Sequence, residues 1–225
     1  MKIKYINKIV ESNASCTINL FLLGNFSVGK TSLLNKFVKN TFTEFYLPTI
    51  GFDRSTKIIT LTKDKNIKIS FYDTAGQERY RSIASNLIKY SDGAILVFDI
   101  TKKETFNAIP KWIESVREHK GNDYPITLIG NKLDLKEERE VEAVEGKKLA
   151  EKYGFSFFET SSKEGTNVHE SILELALKIL VQKEKEEKLE EEIEKEKDNG
   201  NKKEQKKVIK LKKEKKPRKK TNCKC

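Results

Sequence analysis

Gly24-Asn25-Phe26-Ser27-Val28-Gly29-Lys30-Thr31 places two glycines, a lysine and a hydroxyl at the spacing G-x-x-x-x-G-K-[ST]. Glycines let a loop turn so that successive backbone N–H groups point inward, and the start of the following helix adds its own free N–H groups. Such a nest takes phosphate oxygens. Lys30 is expected to reach the β- and γ-phosphates and the Thr31 hydroxyl to ligate Mg²⁺, with Ser32 next along the helix in the same nucleotide-binding group. A Gly-bounded turn that merely starts a helix would share the glycines. The apolar run Thr17–Gly24 before the loop and the helical pattern Thr31–Lys39 after it favour the phosphate cradle.

A phosphate loop says only that a nucleotide is bound. Asn131-Lys132-Leu133-Asp134 speaks to the base. The Asp134 carboxylate can accept from both the N1–H and the 2-amino group of guanine, whereas adenine offers no such donor pair. The Asn131 amide would reach N7 and the Lys132 stem would cover the ring. Alone, this tetrapeptide would pass for a polar turn; its place after a strand, about 100 residues beyond the phosphate loop, gives it weight. Asp73-Thr74-Ala75-Gly76-Gln77-Glu78 closes the set. Asp73 suits a role holding a Mg²⁺-bound water, Gly76 lets the backbone approach the γ-phosphate, and the neutral Gln77 would orient the attacking water, the catalytic assignment made here.

These groups need a frame. Ser55–Thr62 and Asn66–Asp73 read as strands joined by the polar turn Lys63-Asp64-Lys65, a hairpin. Gly93–Asp99, Ile126–Gly130 and Ser156–Glu159 read as buried strands, with helical patterns at 78–90, 104–119, 140–153 and 167–182. Alternating strands and helices with near-continuous apolar strands predict an α/β fold: a six-stranded, mostly parallel sheet with one antiparallel edge strand, flanked by about five helices. With the Gly24–Thr31 loop after its first strand, this is the layout expected of a P-loop NTPase. Ligands of such sheets sit at the carboxyl ends of the strands, where each motif falls.

The chain of 225 residues is predicted to hold an N-terminal extension (1–16), one domain (17–181) and a charged, largely disordered tail (182–225). Its formal charge of +11 is unevenly spread. Lys202 to Cys225 carries 13 Lys/Arg against 2 Glu, whereas Lys183 to Asp198 carries 5 Lys against 9 acids. The basic balance therefore belongs to the tail, which argues against a nucleic-acid binder. Glu/Lys pairs at i,i+4 could carry the last helix into KEKEEKLEEEIEKEK. Cys16, Cys223 and Cys225 form no disulfide framework, and no run approaches the roughly 18 apolar residues of a spanning helix. Cytosolic synthesis is the expectation.

The three motifs, with Pro48-Thr49 and Glu159-Thr160-Ser161-Ser162-Lys163, together resemble the Ras superfamily of small GTPases over residues 17–181. Gln77–Ile83, Leu96–Thr101 and the Cys223-Lys224-Cys225 end are similar to its Rab family. The resemblance implies a GTP/GDP switch with Mg²⁺, hydrolysing GTP in vesicular and membrane trafficking. It implies that Thr49 completes the Mg²⁺ sphere and senses the γ-phosphate, with Thr31 and, through water, Asp73 as the other metal contacts. Phe42 and Tyr46 look like the aromatics that flank the base and cover the phosphates, and Ser161, Ser162 and Lys163 like the loop whose backbone reads guanine O6. Cys223 and Cys225 resemble a double geranylgeranylation signal, placing the protein in the cytosol and on the cytoplasmic face of an endomembrane or the plasma membrane. Two chains with a basic patch anchor stably. Implied partners are an exchange factor, a GAP, Rab escort protein with geranylgeranyl transferase, GDP-dissociation inhibitor and GTP-dependent effectors; a monomer with no nucleic-acid partner is expected. Departures are Phe26, where the family usually has a small residue, Ser162 in place of alanine, and Arg54 and Tyr72 in place of effector-facing aromatics. Phe26 would crowd the γ-phosphate, so slow hydrolysis and weak GAP stimulation are expected. The alternative is a GTP-loaded scaffold with little hydrolysis.

Overall fold

The computed structural model describes residues 16–44, 52–62, 65–74 and 88–198. Six strands form one sheet: β1 (Cys16–Leu23), β2 (Phe52–Thr62), β3 (Lys65–Thr74), β4 (Gly93–Asp99), β5 (Ile126–Asn131) and β6 (Ser156–Thr160), in the spatial order β2-β3-β1-β4-β5-β6. β1 pairs parallel with β3 and β4, and β5 lies parallel between β4 and β6. Among the described strands only β2 runs antiparallel, at the edge, as expected of the hairpin. Thr62 lies opposite Lys65, and the turn residues Lys63 and Asp64 lie outside the described residues.

Strand side chains alternate between faces, and both faces are covered. On one, Ile18, Leu20 and Leu22 of β1 pack with Leu33 and Phe37 of α1 (Lys30–Lys39). Ile172, Leu175 and Ile179 of the last helix close the same core. On the other, Phe21, Leu96, Phe98 and Leu128 meet Ile109, Trp112, Ile113 and Val116. Every residue of β4 is buried, which explains why Gly93–Asp99 carries no polar side chain before Asp99.

The helical pattern expected at 104–119 is two helices, α2 (Lys103–Asn107) and α3 (Ile109–Lys120), with Pro110 in the first turn of α3. Proline has no N–H and its ring opposes the preceding turn, so it opens a helix readily and interrupts one poorly. A short 3₁₀ segment spans Leu133–Glu138, followed by α4 (Ala143–Tyr153). Most of the pattern at 78–90 lies outside the described residues. The last helix, α5 (Val168–Asp198), has 31 residues and continues well past 182, through the Glu/Lys-rich stretch. Lys183 pins it where it leaves the core, pairing with Asp92 at 2.9 Å and donating to the Thr17 carbonyl at 3.0 Å.

Candidate functional site

The loop between β1 and α1 is shaped by three residues in left-handed or open backbone: Gly24 (φ 143), Ser27 (φ 62) and Gly29 (φ 93). Two glycines are required by close approaches as well. A Cβ on Gly24 would lie 2.1 Å from the Val97 carbonyl oxygen, and one on Gly29 would lie 2.3 Å from Asn131 Nδ2. Lys30, the first residue of α1, is buried, and its amine donates to the carbonyls of Gly24 (2.9 Å) and Asn25 (2.8 Å). Burial lowers its pKa to about 8, partly opposed by the nearby Asp73 carboxylate.

Thr31 Oγ1 donates to Asp73 Oδ2 at 2.5 Å, tying the start of α1 to the end of β3. Asp73 Oδ1 is buried without a hydrogen-bond partner, and desolvation raises this carboxyl's pKa against the pull of Thr31 and Lys30. An orphaned carboxylate oxygen beside a hydroxyl is the hard-oxygen donor chemistry that Mg²⁺ takes, directly or through its waters. The residues present therefore fit the ion. Thr49, Tyr46, Gly76 and Gln77, also assigned here from the sequence, lie outside the described residues.

At the far end of the site, Asn131 organises three segments. Its Nδ2 donates to the Val28 carbonyl at 3.0 Å. Its Oδ1 accepts from Thr160 Oγ1 (3.1 Å), from the Ser162 backbone N–H (3.3 Å) and from Ser162 Oγ (3.0 Å). Lys132 adopts φ 71, which throws its side chain back to the buried carboxylate of Asp99, 2.6 Å away. Asp134 accepts from Ser161 Oγ at 2.6 Å, and that hydroxyl in turn accepts from the Glu164 N–H at 3.0 Å. Lys163 pairs with Glu44 at 3.1 Å, so the segment after α1 is drawn to the loop after β6. Phe42 on that segment and Phe26 on the phosphate loop both expose their rings, Phe26 by 45%.

The phosphate loop, Thr31, Asp73, Asn131, Asp134, Ser161 and Ser162 thus meet at the carboxyl ends of β1, β3, β5 and β6. Several contributors carry no local signal in the sequence. Asp99 fixes Lys132, Thr160 fixes Asn131, and Trp112 donates its Nε1–H to Asn25 Oδ1 at 2.9 Å. Gly93–Asp99 reads as a buried strand, but nothing in that run marks Asp99 as the partner of Lys132.

A parallel sheet whose first strand runs through a glycine-shaped loop into a helix, with a buried lysine and a Thr–Asp pair at its mouth, defines a P-loop nucleotide-binding domain. The Ras family model matches residues 19–181. The chain is 39% identical to Ras-related protein Rab-3B of Bos taurus over 165 residues, 73% of this chain and 75% of that protein. It is 39% identical to Ras-related protein Rab11D of Nicotiana tabacum over 178 residues, 79% and 75% of the two chains. Ras-related protein Rab-3D of Mus musculus is 38% identical over 173 residues, 77% and 78%. The chain belongs to the Ras family, as a Rab member of that superfamily, and is a GTPase.

Proposed function

We propose that the chain is a membrane-anchored switch of intracellular trafficking, which binds GTP and GDP with Mg²⁺ in the site between the Gly24–Thr31 loop and the Asn131–Asp134 and Ser161–Lys163 loops. The single observation that supports this best is the geometry at the mouth of α1: Thr31 and Asp73 at 2.5 Å, with one Asp73 oxygen buried and unpartnered beside the Lys30 amine. Lys30 and the loop N–H groups hold the phosphates. Asp134 accepts from the guanine N1–H and 2-amino group, positioned by Ser161. Asn131 sets the distance between the two ends, and Lys132, held by Asp99, lies along the ring. Thr31, Thr49 and, through water, Asp73 would hold Mg²⁺, which would supply charge neutralisation during phosphoryl transfer. Gln77 orients the attacking water, Thr49 senses the γ-phosphate and Gly76 lets the backbone approach it.

Cys223 and Cys225 carry the lipid, and the Lys/Arg run beside them adds attraction to an anionic leaflet of about 1 kcal/mol per residue. No described helix is long and apolar enough to cross a membrane. Exchange factors, GAPs, escort and dissociation-inhibitor proteins and GTP-dependent effectors are the partners this reading supplies, by likeness to Rab proteins. Mass spectrometry of the peptide bearing Cys223 and Cys225, with chromatography of the nucleotide released from the same preparation, tests it. Two prenyl groups and a guanine nucleotide are expected. A Cys223→Ser/Cys225→Ser variant that stays on membranes contradicts the anchoring.

A second reading, a GTP-loaded scaffold with little hydrolysis, has one observation in its favour: the Phe26 ring stands exposed on the phosphate loop.

A further inference from the structure

Trp112 is the chain's one tryptophan, and it belongs to two regions at once. Its ring is 5% exposed and sits in the core beneath α3, while its Nε1–H leaves that core to reach Asn25 Oδ1 at 2.9 Å. Asn25 is the second residue of the phosphate loop. Its backbone carbonyl, together with that of Gly24, receives the Lys30 amine. One residue is therefore held by α3 through its side chain and holds the lysine through its main chain. The later limb of the loop is held separately, by Asn131 at the Val28 carbonyl.

A phenylalanine would fill the core nearly as well as the indole. What it would lack is the N–H, and a buried indole N–H without an acceptor is costly, so the pairing specifies where Asn25 must sit. Fixing Asn25 fixes both the entry limb of the loop and the carbonyl that aims Lys30. The hydrogen bonds from Trp112 to Asn25 and from Lys30 to the Gly24 and Asn25 carbonyls are made without Asn131, Asp134 or Ser161.

We propose that Trp112 is a positioning residue for phosphate recognition: through Asn25 it holds the leading limb of the loop and the aim of Lys30, so that α3 sets how tightly the β-phosphate is gripped. This rests on the assignment of Gly24–Thr31 as the phosphate cradle. It separates from a packing role by ligand. A core defect weakens every guanine ligand alike, whereas a misaimed loop weakens GDP and spares GMP, which has no β-phosphate.

The test uses the full chain and measures displacement of a fluorescent guanine nucleotide by GDP and by GMP, for wild type, Trp112→Phe, Asn25→Ala and the double variant. Loss of one net hydrogen bond predicts GDP affinity lowered about three- to tenfold in each single variant, with GMP affinity changed by less than about twofold. The double variant should lose no more than the weaker single variant, because both remove one contact. Should Trp112→Phe fail to fold, Asn25→Ala carries the test, since it keeps the indole in place: the same selective loss and a shift of the tryptophan emission maximum are expected. Equal losses for GDP and GMP, additive losses in the double variant, or an emission maximum unmoved by Asn25→Ala would each overturn the proposal. Wild type with no preference for GDP over GMP would overturn the phosphate-cradle assignment as well.

Discussion

Asn131 donates its side-chain amide to the Val28 carbonyl at 3.0 Å, joining the end of β5 to the phosphate loop across 103 residues of sequence. Because its oxygen accepts three donors from Thr160 and Ser162, one side chain fixes the relative positions of the phosphate loop, the base-reading strand and the loop after β6. A nucleotide spans that same distance, so the contact sets how well the site is formed before ligand arrives.

Asn131→Ala should therefore damage both ends of the site together. It leaves the Val28 carbonyl and the Thr160 and Ser162 donors without their partner, and each buried group so stranded costs about 1–3 kcal/mol. Stopped-flow release of a fluorescent GDP is expected to accelerate at least tenfold, with a lower Tm for the nucleotide-free protein. Ser162→Ala removes only one of three donors and should change the release rate by less than about fivefold. A Ser162→Ala effect as large as that of Asn131→Ala would contradict this hierarchy.

Phe26→Ser should raise single-turnover GTP hydrolysis by about tenfold or more, on the general scale of positioning effects in catalysis. The exposed Phe26 ring stands on the loop that lines the γ-phosphate position, and a smaller side chain leaves room for the attacking water and for a cationic side chain offered by an activating partner. Equal rates for the two proteins would remove Phe26 as the cause of slow turnover.

Lys30 makes GDP affinity depend on pH. In the free protein its pKa is lowered to about 8 by burial, and a bound phosphate raises it again. Binding therefore takes up protons when the pH is near or above 8. The Lys30 contribution is fully present below about pH 8 and weakens as the pH rises toward the bound-state pKa, so affinity should fall between pH 8 and 9.5. Calorimetry in buffers of different ionisation enthalpy should detect the uptake, which Lys30→Met should abolish along with most of the affinity. The sign reverses for stability of the empty protein. Its ordinary value of 10.5 applies when unfolded, so charging Lys30 opposes folding below about pH 8, and that penalty lifts as the pH rises to 10.5.

The layout of the domain was legible in the sequence wherever a strand is buried on both faces. Gly93–Asp99 and Ile126–Gly130 read as strands because near-continuous apolar runs suit nothing else in an alternating chain, and the structure bounds the first identically and adds only Asn131 to the second. The break at Ala108 was harder to see, because the helical period runs through Pro110 and only the ring's clash with the preceding turn separates α2 from α3. Of the site, the loops that bend through glycines or at a strand end could be found, since Gly24, Gly29 and Lys30 are constrained by local geometry. Their supports could not. Trp112 meets Asn25 across 87 residues, and Asp99 meets Lys132 only because β4 and β5 are neighbours in the sheet.

Guanine selection rests on Asp134, and a nucleotide competition measures it most directly. The Asp134 carboxylate is held by Ser161 and would accept from the N1–H and 2-amino group of guanine, so wild type should bind GDP far more tightly than ADP or xanthosine diphosphate. Asp134→Asn brings a donor to meet the 2-amino group, and should lose at least tenfold in GDP affinity, on the order of 1–3 kcal/mol for a mismatched polar pair. It should gain for xanthosine diphosphate, whose 2-oxygen accepts. Wild type that binds ADP as well as GDP, or an Asp134→Asn variant with its GDP preference intact, would contradict the account.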